Sequence, residues 1–127
     1  MMYRLGIRRS FVAQHYLIGG DFGDESQWHS HHYKVEVRLT GETLNEHGYL
    51  ADITEIEQAL DTLLSRYRDA TLNELPEFQG LNPSIEHFAR IFHDRFASAI
   101  PWDNSIKLTI RLWEDPDIWT EYTDHSG

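Results

Sequence analysis

Three histidines occupy positions that could hold a metal ion. His29 and His31 begin an alternating run of polar and apolar residues, so their side chains share one face of a strand, about 6 to 7 Å apart along the chain. His15 ends an earlier alternating run, on its apolar side. Three neutral imidazoles around one open position form the ligand set of a catalytic zinc ion. A histidine on an apolar face is also an ordinary packing residue, and the pattern alone leaves both interpretations open.

Glu114 is the second residue that interrupts an apolar row. It extends the inward positions of the run from Ile106 to Leu112. An ionised carboxylate on a buried face is costly unless it is paired. Either the strand ends there and the carboxylate reaches water, or the carboxylate accepts two N–H donors from a guanidine-like ligand edge.

The composition restricts the function classes that remain. The chain has 127 residues, no cysteine, and 21 acidic against 11 basic residues, which gives a formal charge of −10. Disulfides, thiolate metal sites and a cysteine nucleophile are therefore excluded. The basic residues are scattered along the sequence, so we expect neither nucleic acid nor a membrane surface as a partner.

The chain length predicts a single domain over residues 1–127. Residues 1–16 contain no continuous apolar stretch long enough for a signal-peptide core or a membrane span, and we expect a cytoplasmic location. The remaining histidines lack the spacing of metal ligands, and we assign them to surface or packing positions: His32, His47, His87, His93 and His125.

Alternation predicts strands over residues 4–15, 29–40 and 106–114, with a short final strand over 118–122. The stretch "TGETLNEHGYL" predicts a turn and a return strand. One side of each long run is apolar and the other polar. The polar side of the resulting sheet therefore faces water or another subunit.

Two amphipathic helices complete the predicted elements. Asp52 has the position of an N-cap for the first helix, and Asn82, followed by Pro83, has that position for the second. Their apolar stripes are Ile53, Ile56, Leu60, Leu63, Leu64 and Tyr67, and Ile85, Phe88, Ala89, Phe92 and Phe96. This order of elements predicts an α+β fold, an antiparallel four-stranded sheet with both helices on one face.

Six short segments, in order along nearly the whole chain, resemble the 6-pyruvoyl-tetrahydropterin synthase and 6-carboxy-tetrahydropterin synthase family: "FVAQH", "HSHHYKVEV", "GYLADI", "TLNEL", "NPSIEHFA" and "IRLWE". The resemblance implies a T-fold whose subunits form a ring, usually a homohexamer of two stacked trimers. It also implies Zn²⁺ held by His15, His29 and His31. The implied substrate is a small reduced pterin.

The same resemblance assigns further site residues. Glu114 matches the glutamate that grips the 2-amino and N3 edge of the pterin ring, and Glu86 with Ser84 matches a second pterin-contacting segment. In such enzymes zinc binds the side-chain hydroxyls of 7,8-dihydroneopterin triphosphate. The adjacent carbon-bound proton becomes acidic, and triphosphate is eliminated.

Three departures from the family pattern bear on the chemistry. Ser30 replaces the glycine between two ligand histidines, and Glu25 stands where a catalytic cysteine is usual. Arg68 and Asp69 occupy the places of the Asp-His pair that normally relays protons. We expect Glu25 to act as the base, with Asp69 as a weaker partner and Arg68 as a possible phosphate contact.

Three functions follow from this resemblance and its departures. The first is a zinc-dependent lyase acting on the side chain of a reduced pterin. The second is a glutamate-variant enzyme that cleaves that side chain to 6-hydroxymethyl-dihydropterin. The third is a paralogue that binds a pterin or purine ring, with altered chemistry or without turnover.

Overall fold

The computed structural model describes residues 1–102 and 105–124. His125, which was assigned to a surface or packing position, lies outside the described residues. The elements follow the order β1 (Tyr3–His15), β2 (His29–Gly41), α1 (Ile53–Tyr67), α2 (Ile85–Ala99), β3 (Lys107–Asp115) and β4 (Ile118–Thr123). Three short 3₁₀ helices lie in the connections, at Gly23–Ser26, Leu72–Glu74 and Pro76–Phe78.

The four strands form one antiparallel sheet in the order β1-β2-β3-β4. The pairing of β1 with β2 is continuous, from Tyr3 opposite Gly41 to His15 opposite His29. The end of β1 and the start of β2 therefore lie at the same end of the sheet. The predicted α+β fold with a four-stranded antiparallel sheet is confirmed.

The predicted return strand between β2 and α1 is wrong. The side-chain Oδ1 of Asn45 accepts from the backbone N–H groups of His47 and Tyr49, and Gly48 has φ 81°. These contacts make a compact turn instead of an extended segment. Both edges of β2 are already paired, with β1 and β3, so a further strand has no place beside it.

Both predicted helices form, but the cap of the second differs from the prediction. Asp52 caps α1, its side chain accepting from Thr54 N at 3.0 Å. Ser84, not Asn82, caps α2, and its hydroxyl accepts from His87 N at 3.1 Å. Asn82 instead uses its side-chain Oδ1 to accept from Ile18 N, which anchors the segment after β1.

The core lies between the inner sheet face and the two helices. All predicted apolar stripe residues of α2 are buried. In α1, Ile53 at the first turn is 45% exposed and Leu63 is half-buried. The buried residues of the α1 stripe are therefore Ile56, Leu60, Leu64 and Tyr67. Aromatic rings fill the centre of the core. Phe11 stacks on Tyr33 with centroids 5.3 Å apart, and Phe88 packs edge-on against both rings.

The outer face of the sheet gathers basic residues that are separate in the sequence. Strand parity and register place on it Arg4, Arg8, Lys34, Arg38, Lys107 and Arg111, six of the 11 basic residues. Glu36 is 5% exposed between Arg8 and Arg38, at 2.9 and 2.7 Å. The basic residues are thus clustered in space, although the sequence suggested otherwise.

No helix within 1–102 and 105–124 combines the length and apolar character needed to cross a membrane.

A buried carboxylate joins both helices to the segment between them. Glu77 accepts two hydrogen bonds from Arg66, at 2.6 and 2.7 Å, and one from the Tyr67 hydroxyl at 2.9 Å. Arg95 on α2 adds a contact of 3.0 Å. The bonds from Arg66 lower the pKa of Glu77 from 4.5 to about 2.

Glu77→Gln is expected to destabilise the fold by about 2 to 3 kcal/mol at pH 7, because it removes the charge that these donors face. A carboxylate whose pKa is lowered by folding stabilises the protein above pH 4.5, and this contribution is lost as the pH falls toward 2. Urea unfolding at pH 7 and pH 4 measures the difference, with exposed Glu74→Gln as the control. A difference that does not shrink at the lower pH contradicts this assignment.

Candidate metal centre

The end of β1 and the start of β2 bring three imidazoles together on the inner face of the sheet. His15 pairs with His29 across the strands, and His31 lies one same-face position further along β2. The ring centroids are 4.5 Å (His15 to His29), 5.0 Å (His15 to His31) and 4.8 Å (His29 to His31) apart. The convergence expected from strand parity is therefore present in the structure.

Backbone carbonyls fix the orientation of two of these rings. His15 Nδ1 lies 2.9 Å from Pro83 O, and His29 Nδ1 lies 2.6 Å from Gln27 O. A carbonyl oxygen only accepts, so each Nδ1 carries the proton and each Nε2 presents its lone pair. The Nε2 of His15 is buried and finds no hydrogen-bond partner among the described residues.

Burial favours the neutral form of His15 and His31. It lowers the pKa of His15 from 6.5 to about 4, and His15 is 1% exposed. Burial, followed by the neighbouring His29, also lowers the pKa of His31. Neutral imidazole is the form that binds a metal ion, so these groups are ready to act as ligands near pH 7.

Two carboxylates flank the imidazoles. Glu25 Oε2 lies 2.8 Å from His29 Nε2 and 3.9 Å from His31 Nε2, and Glu114 Oε1 lies 2.9 Å from His31 Nε2. Glu114 stands at an irregularity in the pairing of β3 with β4, between Trp113 and Asp115. Burial, then the charge of Glu25, raises the pKa of Glu114.

The donor set fits a metal ion of the size of zinc. One ligand atom each from His15, Glu25, His29 and His31 lie within 4.8 Å of one another. A tetrahedral ion with bonds of about 2.0–2.1 Å has ligand–ligand edges of about 3.3 Å. Three separations bracket that value: 2.8 Å from Glu25 Oε2 to His29 Nε2, 3.1 Å from His29 Nε2 to His31 Nε2, and 3.9 Å from Glu25 Oε2 to His31 Nε2. The buried, unpartnered Nε2 of His15 is explained by such an ion.

The segment that carries Glu25 is tied to the rest of the fold. Leu17 N donates to Glu25 O at 2.9 Å, and Tyr16 exchanges two hydrogen bonds with the side chain of Asn73. Glu25 itself lies in the 3₁₀ helix Gly23–Ser26, with a side chain 49% exposed. The backbone is therefore held while the carboxylate remains accessible.

The remaining predicted site residues lie at varying distances from this cluster. Glu86, exposed in the first turn of α2, is near enough for its charge to contribute to the raised pKa of Glu114. Ser84 serves as the helix cap described above. Arg68 and Asp69 are exposed after α1, and within the described part of the chain neither side chain contacts the imidazoles.

Three residues that were not predicted from the sequence contact the cluster: Tyr33, Gln27 and Pro83. The buried Tyr33 hydroxyl lies 3.3 Å from His15 Nδ1, and the backbone carbonyls of Gln27 and Pro83 orient His29 and His15. Tyr33 shares the strand parity of His29 and His31, a signal that was available. The carbonyls of Gln27 and Pro83 leave no signal in the sequence, because every residue type has a backbone carbonyl.

In metal-free protein, His15 and His29 are expected to be neutral tautomers protonated at Nδ1, because their Nδ1 atoms face carbonyl oxygens. Long-range ¹H–¹⁵N NMR at pH 7.5 distinguishes the two ring nitrogens. The exposed His32 and His47 serve as internal references for solvent-exposed imidazoles. Protonation of His15 at Nε2 would contradict the arrangement described here.

Comparisons with known proteins identify relatives of this chain. Proteins of Pyrococcus horikoshii and Pyrococcus abyssi, provisionally named 6-carboxy-5,6,7,8-tetrahydropterin synthase, are 28% and 27% identical over 117 residues. Each alignment covers 75% of this chain and 73% of the relative.

Solved structures show the same fold. The 6-pyruvoyl tetrahydropterin synthase of Caenorhabditis elegans superimposes with a TM-score of 0.85 at 18% identity, covering 98% of this chain and 96% of that one. The Plasmodium vivax enzyme gives 0.80 at 14% identity, covering 98% of both chains. A variant of the latter, in which a catalytic glutamate is replaced by alanine, gives 0.78 at 14% identity, also covering 98% of both chains.

The T-fold expected from the sequence is thereby confirmed. The family model for 6-pyruvoyl tetrahydropterin synthase matches residues 4–125 of the 127. The strands that carry the three histidines and the strand that carries Glu114 all fall within this match. This chain is a member of the 6-pyruvoyl tetrahydropterin synthase family.

Proposed function

We propose that this protein is a zinc-dependent lyase that acts on the side chain of a reduced pterin, 7,8-dihydroneopterin triphosphate or a close relative. The observation that carries the proposal is the convergence of three imidazoles beside two carboxylates at one end of the sheet. Membership of a family of tetrahydropterin synthases supplies the substrate class.

The metal ligands in this proposal are His15, His29 and His31. Three neutral imidazoles favour zinc, and the absence of cysteine leaves nitrogen and oxygen atoms as the donors. Zinc, when bound, acts as a Lewis acid toward the side-chain hydroxyls of the pterin and acidifies the neighbouring carbon-bound proton. The carbonyl-fixed rings present their lone pairs without rearrangement.

Glu114 is the proposed anchor for the pterin ring. A guanidine-like edge offers two parallel N–H donors, and an ionised carboxylate accepts both in a charge-assisted pair. The side chain of Glu114 is 19% exposed, so the pair would form away from bulk water. Ser84 and Glu86, at the start of α2, remain predicted contacts of the same ring.

Glu25 is the proposed base, since it is the accessible carboxylate beside the imidazoles. A positioned carboxylate can remove a proton from carbon when a nearby cation acidifies that proton. Asp69 as a weaker partner and Arg68 as a phosphate contact remain predictions. Both are exposed on the segment that pairs with the end of β1, where Asp69 N donates to Val12 O and Gln14 N to Ala70 O.

A second candidate activity is cleavage of the side chain to 6-hydroxymethyl-dihydropterin. Glu25 favours it, because a glutamate here takes the place of the usual cysteine. In the Plasmodium vivax enzyme, which has the same fold, a glutamate is a catalytic residue.

Assembly and location complete the proposal. The homohexameric ring implied by the family resemblance is supported by the position of β1 and β4 as the two edge strands of the described sheet, because an edge strand can pair with another subunit. The end of β1 is already paired within the chain, at Val12 and Gln14, with residues 69–71. The cytoplasmic location and the absence of nucleic-acid and membrane partners remain predictions.

The metal-loaded protein is expected to release triphosphate from 7,8-dihydroneopterin triphosphate. Phosphorus NMR measures the release, and mass spectrometry identifies the pterin product. Glu25→Gln, assayed with zinc in excess, should lower the rate by about 100-fold or more. Asp24→Asn, on the same 3₁₀ helix, is the matched control. The product 6-hydroxymethyl-dihydropterin would favour the second candidate. Stoichiometric pterin binding without turnover would contradict both and indicate a binding paralogue.

A further inference from the structure

Glu25 contacts the imidazole cluster in a way that a hydrogen bond from a neutral His29 does not explain. Its Oε2 lies 2.8 Å from His29 Nε2, yet the Nδ1 of His29 faces Gln27 O at 2.6 Å. A neutral imidazole has one N–H, and the carbonyl contact places it on Nδ1. The lone pairs of Nε2 and of the carboxylate then face each other, which is unfavourable unless a proton or a metal ion lies between them. A metal ion also explains the buried Nε2 of His15 and the approach of the same Glu25 oxygen to His31 Nε2 at 3.9 Å, which a proton shared by Glu25 and His29 leaves unexplained.

The two carboxylates of the site differ in their relation to the imidazoles. The Glu25 oxygen shares the 4.8 Å cluster with ligand atoms of His15, His29 and His31. Glu114 contacts the cluster through His31. The geometry thus separates an oxygen that is close to ligand atoms of all three histidines from one whose described imidazole contact is with His31.

We propose that Glu25 is a fourth protein ligand of the metal in the substrate-free protein. This inference rests on the proposed function for the presence of the metal. It assigns Glu25 an additional role, because binding to a cation lowers the basicity of a carboxylate. The carboxylate recovers its full basicity when its oxygen leaves the metal, an exchange of ligands that transfers no electron.

The fold permits such an exchange at Glu25. Its carbonyl is fixed by Leu17 N, whereas its side chain is 49% exposed and has room to change rotamer. By contrast, His15 is buried and bonded to Pro83 O. The cluster therefore combines three fixed ligands with one that can move, and a three-imidazole site with an exchangeable fourth position is the arrangement of catalytic zinc.

The test uses Co²⁺ as a spectroscopic probe and Zn²⁺ for affinity, with pterin absent. Wild-type protein and three variants, Glu25→Gln, Asp24→Asn and His31→Ala, are titrated at pH 7.5, and the visible absorption of Co²⁺ and the Zn²⁺ dissociation constant are measured. Asp24→Asn removes the same charge from the same 3₁₀ helix, so it controls for general electrostatics.

Glu25→Gln is expected to weaken Zn²⁺ binding by about tenfold or more and to change the Co²⁺ spectrum, while Asp24→Asn keeps the wild-type spectrum and affinity. An unchanged spectrum and affinity in Glu25→Gln would overturn the proposal and leave a three-histidine site intact. Equal weakening of Zn²⁺ binding by Asp24→Asn would overturn the proposal, because the long-range effect of one negative charge would then explain both results. Wild-type protein that binds no metal, or that binds it equally well in His31→Ala, would overturn the proposed function as well.

Discussion

The register between β1 and β2 is the constraint on which the rest of the site depends. It sets His15 opposite His29 and keeps both rings, with His31, on the inner face. Because side chains alternate along a strand, a slip of one residue would turn one strand's imidazoles to the outer face. The same slip would expose Phe11 and Ala13, which are buried, so the hydrophobic core and the histidine cluster require the same pairing.

The core and the site are also continuous in space. Tyr33 stacks on Phe11, packs against Phe88 and reaches His15 Nδ1 with its hydroxyl. Ser84 caps α2, and the preceding residue, Pro83, supplies the carbonyl that orients His15. The segment that begins α2 therefore orients one imidazole directly, and contacts behind the ligands fix the lone pairs of His15 and His29 toward one point.

Periodicity predicted most of what positions the site. The two-residue spacing of His29 and His31, the parity of His15 and the inward row ending at Glu114 all appear in the structure as expected. The predictions that are wrong depended on local contacts: Asn82 was predicted to cap α2 but holds the segment after β1, and Asn45 organises a turn where a strand was expected. The position of Glu25 came from the family resemblance, because its contacts with histidines across a loop have no periodic signal.

We expect His15, His29 and His31 to bind one metal ion through their Nε2 atoms. Anomalous diffraction at the zinc edge, from crystals of the zinc-loaded protein, locates that ion. A single strong peak is expected at about 2.0 to 2.1 Å from all three Nε2 atoms. A peak elsewhere in the protein, or one bonded to fewer than three of these rings, would contradict this expectation.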